Sequence, residues 1–261
     1  MTLSDMYLNG ILQKYNPRDL RIYSASILRL RTILVGWAST CFLDIFDSGS
    51  RAKGTAISLA SDVDYFISLT SNCNDNNGGL KSVYDSLFAK LNSEYFPARK
   101  QNVSVRISLN GLIVDVTPGR KQPGNTDNHN LYVSKSDTWT QTNVQTHTTD
   151  VILSGRANEI RLLKIWRELN RLEFPSIYLE YLLIDNILLN RPKDIGNLAN
   201  NFWHILSQLA LDTGNPLNSR IVDPGNTSNI LSGLLDTNEK NLIINKAKES
   251  TQKPYWEQVV W

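Results

Sequence analysis

The sequence predicts an α+β protein, with a mixed sheet and flanking helices over residues 1–140 and a mainly helical lobe over residues 141–261. Three observations carry this. Short β-branched and aromatic runs alternate with amphipathic stretches in the first part. An Asn110-Gly111 pair separates two apolar runs, which is a hairpin signal. From Asn143 onward the apolar spacing is helical, punctuated by Pro192, Gly214-Asn215-Pro216 and Pro224-Gly225.

Taken in order, Leu20 to Thr40 places Ile22, Ile27, Leu28, Leu30, Ile33, Leu34 and Trp37 at helical spacing. Cys41 to Phe46 reads as a strand leading to Gly49 and Ser50, and Val63 to Ile67 as a second strand. Ser71 to Gly79, rich in Asn and Gly, is expected as a loop, and Leu80 to Asn92 as a helix. Val103, Val105 and Ile107 alternate with polar residues ahead of the Asn110-Gly111 turn, and a strand containing Asp115 follows it. Pro118 to Asn130 is expected as a connection and Tyr132 to Thr140 as a second hairpin. Helices are expected at 143–172, broken near Ser154-Gly155, and at 176–189, 195–212 and 237–250.

The chemistry concentrates between Gly49 and Asp115. Asp62 and Asp64 lie two residues apart at the start of a strand, so they share a face about 7 Å apart and repel unless a cation lies between them. Asp115 sits in the apolar run Leu109 to Val116, where a charge needs a partner. Three carboxylates converging on hard cations suit Mg2+ or Mn2+, and two such ions can activate a hydroxyl and stabilise a leaving pyrophosphate. At Gly49 and Ser50, backbone amides can come close to phosphate oxygens and the serine hydroxyl can bond the same group. No Gly-Lys-Ser/Thr follows at P-loop spacing, which disfavours ATPase chemistry of that kind.

In order and setting, Gly49-Ser50, Gly54-Thr55, Ser61-Asp62-Val63-Asp64 and the later Asp115 resemble the signature of the polymerase-beta-like nucleotidyltransferase superfamily. Further stretches resemble its bacterial anti-phage members related to cyclic GMP-AMP synthase and oligoadenylate synthase. These are Arg51 to Ile57, Ile160 to Trp166, Pro175 to Glu180, Ile221 to Pro224 followed by Ser228-Asn229, and Trp256 near the end.

The resemblance implies a bilobal fold with nucleotides held in a cleft. Asp62, Asp64 and Asp115 would be the catalytic and metal-binding residues, with two Mg2+ or Mn2+ ions, and Gly49, Ser50, Lys164 and Ser176 would hold the donor's triphosphate. Nucleoside triphosphates would be joined through ribose hydroxyls with pyrophosphate release, giving a cyclic or short linear oligonucleotide that a downstream effector binds. Transfer to RNA or protein, or a non-catalytic nucleotide-binding role, is the alternative. Ser176 also reads as an ordinary helix cap, Asp223 as a brace for a turn, and Tyr132, Trp139, Tyr178 and Trp203 as core aromatics ahead of base-stacking ones.

Composition narrows the class. Hydrophobic residues at 41% and charged residues at 20% describe an ordinary globular chain, and a net charge of +2 gives no case for a long nucleic-acid ligand. Cys41 and Cys73 lack metal-site spacing and are expected as reduced thiols in the cytoplasm, and His129, His147 and His204 as loop or helix-surface residues. Met1 to Leu12 lacks a basic region followed by an apolar core and no apolar run reaches about 18 residues, so neither secretion nor a membrane span is expected.

Overall fold

The computed structural model describes residues 2–60 and 62–261, so Ser61 of the acidic stretch lies outside the described residues. In chain order the elements begin with helices α1 (Leu3–Lys14) and α2 (Ser24–Ala38), strand β1 (Phe42–Ser48), the single turn α3 (Gly49–Ala52), strand β2 (Val63–Leu69) and helix α4 (Gly79–Glu94). Strands β3 (Arg99–Lys100), β4 (Val105–Leu109), β5 (Leu112–Lys121), β6 (His129–Val133) and β7 (Thr138–Thr142) follow. Helices α5 (Val144–Ser154), α6 (Ala157–Leu169), α7 (Ser176–Leu182) and α8 (Leu198–Leu209), a hairpin of β8 (Val222–Asp223) and β9 (Asn226–Ile230), and α9 (Thr237–Thr251) complete the chain.

The residues group into two compact units. One comprises Arg18–Lys53 and Ser61–Thr148, the other Met1–Pro17, Gly54–Ala60 and Thr149–Trp261. The expected division near residue 140 therefore omits two pieces that join the helices. Leu8, Ile11 and Leu12 of α1, and Ile57, lie in one core with Leu163, Trp166, Phe202 and Ile243.

The first unit is built on a seven-stranded mixed sheet of order β1-β2-β5-β4-β3, with β6 pairing β5 and β7 pairing β6. Strands β2 and β5 are parallel and the other neighbours antiparallel. Alternation sends Val63, Tyr65, Ile67 and Leu69 of β2, and Leu112, Val114 and Val116 of β5, to one face. There they pack with Leu30 and Leu34 of α2 and Val83, Leu87 and Leu91 of α4. The expected hairpin is present: Leu109 faces Leu112, and Asn110 and Gly111 both take positive φ, as a two-residue turn matched to strand twist requires.

Two expectations change here. Strand β5 continues through Pro118 and Gly119, which composition assigns to a connection. Pro118 falls after β4 pairing ends at Val116 and before β6 pairing starts at Arg120, where its missing N–H leaves no bond unmade on that edge. Cys41 and Cys73 form a disulfide, not two reduced thiols, with Cα atoms 5.5 Å apart. One precedes β1 and the other follows β2, and the pairing of Phe42 with Leu69 brings these ends together.

In the second unit the break at Gly155, with φ +67, separates α5 from α6 as expected. Helix α7 ends at Leu182 in a π-turn over Leu183–Ile187, and the Val222–Ile230 hairpin lies where no strand is expected. The guanidinium of Arg156, almost fully buried, donates to the Leu188 and Pro192 carbonyls at 2.7 Å each and closes the loop after that turn. No helix among the described residues is long and apolar enough to cross a membrane.

Candidate active site

The register of β2 and β5 sets Asp64 directly beside Asp115, on the face opposite the apolar core. Asp62 stands just before β2. Arg106 of β4 is paired with Asp115 across the antiparallel ladder, which puts its side chain on the same face. Its Nε donates to Asp115 Oδ1 at 3.0 Å, and its Nη2 donates to Asp115 Oδ2 at 2.6 Å and Asp62 Oδ2 at 2.7 Å. Asp115, largely buried, thus has the partner its setting demands. Sequence reasoning missed Arg106; the cue lay in the hairpin, since a two-residue turn after Leu109 places residue 106 opposite 115.

Asp64 and Asp62 are both raised above the ordinary carboxylate range. Asp64 is pushed up to about 7, first by burial and then by the negative charges of Asp115 and Asp62, with Lys53 and Arg106 opposing. Burial also raises Asp62, against the pull of Arg106, and hydrogen bonding to Asp115 raises Arg106 further above its usual range. Among the described residues no group of three or more His, Cys, Asp or Glu side chains is gathered to hold a metal ion. Arg106 bridges two of the three expected ligands, Asp62 and Asp115. The donors nevertheless fit a hard divalent cation: all are carboxylate oxygens, and the negative charges of Asp115 and Asp62 that act on Asp64 are ones such a cation would offset.

Gly49 and Ser50 open α3 at the end of β1, where Ser48 pairs with Asp64. The Asp64 carboxylate presses on Gly49, whose φ of +64 is open to glycine at little cost. In the second unit, Lys164 of α6 is buried, its Nζ 2.6 Å from Glu180 Oε1 and 2.9 Å from Thr55 Oγ1. The Ser176 hydroxyl, in the first turn of α7, accepts from Arg167 Nη1 at 3.0 Å.

Asp223 braces its turn as expected, accepting from the Gly225 amide at 2.8 Å and from Asn229 Nδ2 at 3.1 Å. Tyr178 is a core residue whose hydroxyl donates to the Leu217 carbonyl, whereas Trp139 is 63% exposed and Trp203 stands edge-on to Trp256. His129 and His147 are buried, correcting the surface reading; His129 Nε2 lies 2.8 Å from Ser68 Oγ because β6 folds onto the end of β5.

No family model matches the chain, and no curated protein is similar to it in sequence. Solved structures are similar in fold. The complex of E. coli MS115-1 CdnC with HORMA-deltaN superposes with a TM-score of 0.76 at 20% identity, covering 98% of this chain and 96% of the other. The Bradyrhizobium diazoefficiens CD-NTase CdnG in complex with GTP gives 0.73 at 12% identity over 95% and 91%. The Cid1 poly(U) polymerase gives 0.66 at 12% identity over 98% and 97%. The chain therefore has the fold shared by these nucleotidyltransferases.

Proposed function

We propose that the chain is a metal-dependent nucleotidyltransferase that joins nucleoside triphosphates through ribose hydroxyls, releasing pyrophosphate, and makes a cyclic or short linear oligonucleotide messenger in anti-phage defence. The observation that carries this reading is the pairing of Asp64 with Asp115, in register on adjacent parallel strands on the open face of the sheet, with Asp62 linked to Asp115 through Arg106. Likeness in fold to CD-NTases supports the product class.

Asp62, Asp64 and Asp115 would hold two Mg2+ or Mn2+ ions, which when bound would lower the pKa of the attacking hydroxyl and offset charge on the leaving pyrophosphate. Asp115, beside the acceptor oxygen, is the residue we assign to accept its proton. The Gly49 and Ser50 backbone and the Ser50 hydroxyl are assigned to donor phosphate oxygens. Lys164 and Ser176 remain candidates for phosphate contact; for Lys164 this requires its ammonium to leave Glu180.

The test is mass spectrometry of products after incubation with all four ribonucleoside triphosphates and Mg2+ or Mn2+, beside an Asp62→Ala/Asp64→Ala control. A cyclic or short linear oligonucleotide absent from the control is expected; the same product in the control sinks the assignment of the acids. Likeness in fold to a poly(U) polymerase favours a second reading, extension of an RNA 3′ end. An oligoribonucleotide included in the same reaction separates the two: a lengthened RNA with no free oligonucleotide selects the second.

A further inference from the structure

The Arg106 guanidinium makes three charge-assisted bonds to two of the acids assigned above as metal ligands. Nη2 is shared between the Asp62 and Asp115 carboxylates, so one cationic group bridges the two anions much as a metal ion would. We propose that Arg106 is a built-in counter-ion that metal must displace, so that ion loading is an exchange between the guanidinium and the cation and Arg106 sets the affinity. This rests on the reading of Asp62, Asp64 and Asp115 as metal ligands.

Three features support the exchange. The backbone of Arg106 is fixed on both sides, against Arg99 of β3 and Asp115 of β5, so only the side chain can move. That side chain is 36% exposed while Asp115's is 12% exposed, so the guanidinium has a path to solvent that the carboxylate lacks. A guanidinium does not lose its proton in proteins, so its charge leaves the site only by movement. A positive charge retained beside a divalent cation would be strongly unfavourable, and its removal therefore tightens metal binding.

The deciding measurement is Mn2+ binding to the metal-free full chain, followed by the electron paramagnetic resonance signal of free Mn2+, for wild type, Arg106→Gln, Arg106→Lys and Asp62→Ala/Asp64→Ala. Arg106→Gln is expected to bind about tenfold more tightly or better, with Arg106→Lys in between, and to show a larger gain in Tm on adding Mg2+. A residue that merely orients the carboxylates predicts the opposite, because ligands released from their brace bind more weakly; equal or weaker Mn2+ affinity in Arg106→Gln overturns the exchange. Should Arg106→Gln not fold, Arg106→Lys decides: it keeps the charge but loses the fork, and binding no tighter than wild type overturns the proposal. Absence of saturable Mn2+ binding in wild type and both Arg106 variants instead overturns the metal-ligand reading beneath it.

Discussion

The Asp64 carboxylate lies directly against the Cα of Gly49, so closely that a methyl group there would stand 2.0 Å from Oδ2 and 2.5 Å from Cγ. The strand that ends at Ser48 and the turn that opens at Gly49 thus set where the Asp64 carboxylate points. Gly49→Ala adds a side chain at φ +64, itself unfavourable by about 1–2 kcal/mol, and forces Asp64 aside. A misplacement of about 1 Å at a reacting centre costs on the order of 10²-fold, so we expect oligonucleotide synthesis to fall by that much or more while far-UV circular dichroism stays unchanged. Synthesis within a factor of three of wild type would show that Asp64 does not need this position.

Gly119 and Phe66 form a second close pair, with structural consequences only. A Cβ on Gly119 would stand 2.1 Å from Phe66 Cζ, and Phe66 is itself held between Phe46, at 5.3 Å between ring centroids, and His129, at 4.9 Å. With no free direction for the ring, Gly119→Ala should destabilise by about 1–3 kcal/mol as overpacking does. Combining it with Phe66→Leu, which frees the space, should recover part of that loss. Strict additivity of the two in chemical denaturation would refute the coupling.

The acids and the glycine turn were legible in the sequence because their chemistry is carried by residue type and local spacing. Asp62 and Asp64 stand two apart at the start of β2, Asn110-Gly111 fixes the hairpin that presents Asp115, and only the pairing of β2 with β5 then sets Asp64 beside Asp115. Arg106 was not legible as a partner of Asp62, because that contact depends on strand order: β5 must lie between β2 and β4. The Cys41–Cys73 bond failed for the same reason, since a sequence separation of 32 hides that the ends of β1 and β2 meet. Pro118 and Gly119 mislead because composition marks them as breakers, whereas a gap in edge pairing and a ring lying over the strand give each a place in β5.

Lys164 and Glu180 form an ion pair in which both side chains are almost fully buried. Removing one partner strands a charge, so Glu180→Gln or Lys164→Met should cost about 3–5 kcal/mol. A kcal/mol shifts Tm by roughly 2–4 °C at this chain length, giving a fall of roughly 6–20 °C in a thermal melt. Replacing both with Met should restore most of it, since neither charge then needs solvation. Single variants that melt within about a degree of wild type would mean that the pair is open to water in solution, which would leave Lys164 freer to meet a phosphate.

Asp64 gives the metal-free protein a pH dependence whose sign follows from the direction of its shift. An aspartate titrates near 3.8 when unperturbed, whereas folding holds Asp64 up to about 7. Between these values the folded state keeps a proton that the unfolded state has lost, so stability falls as pH rises through the window, and above it the full cost is present. Asp64→Asn removes the ionisable group and should raise Tm by several degrees at pH 8, with a much smaller gain at pH 4.5. Added Mg2+ should reverse the order at pH 8, because wild type gains a bound cation where the asparagine variant has lost a charged ligand. Equal melting temperatures for the two proteins at pH 8 without metal would mean that the negative charge of Asp64 is already balanced, and with it would go the electrostatic reason for a cation at this acid.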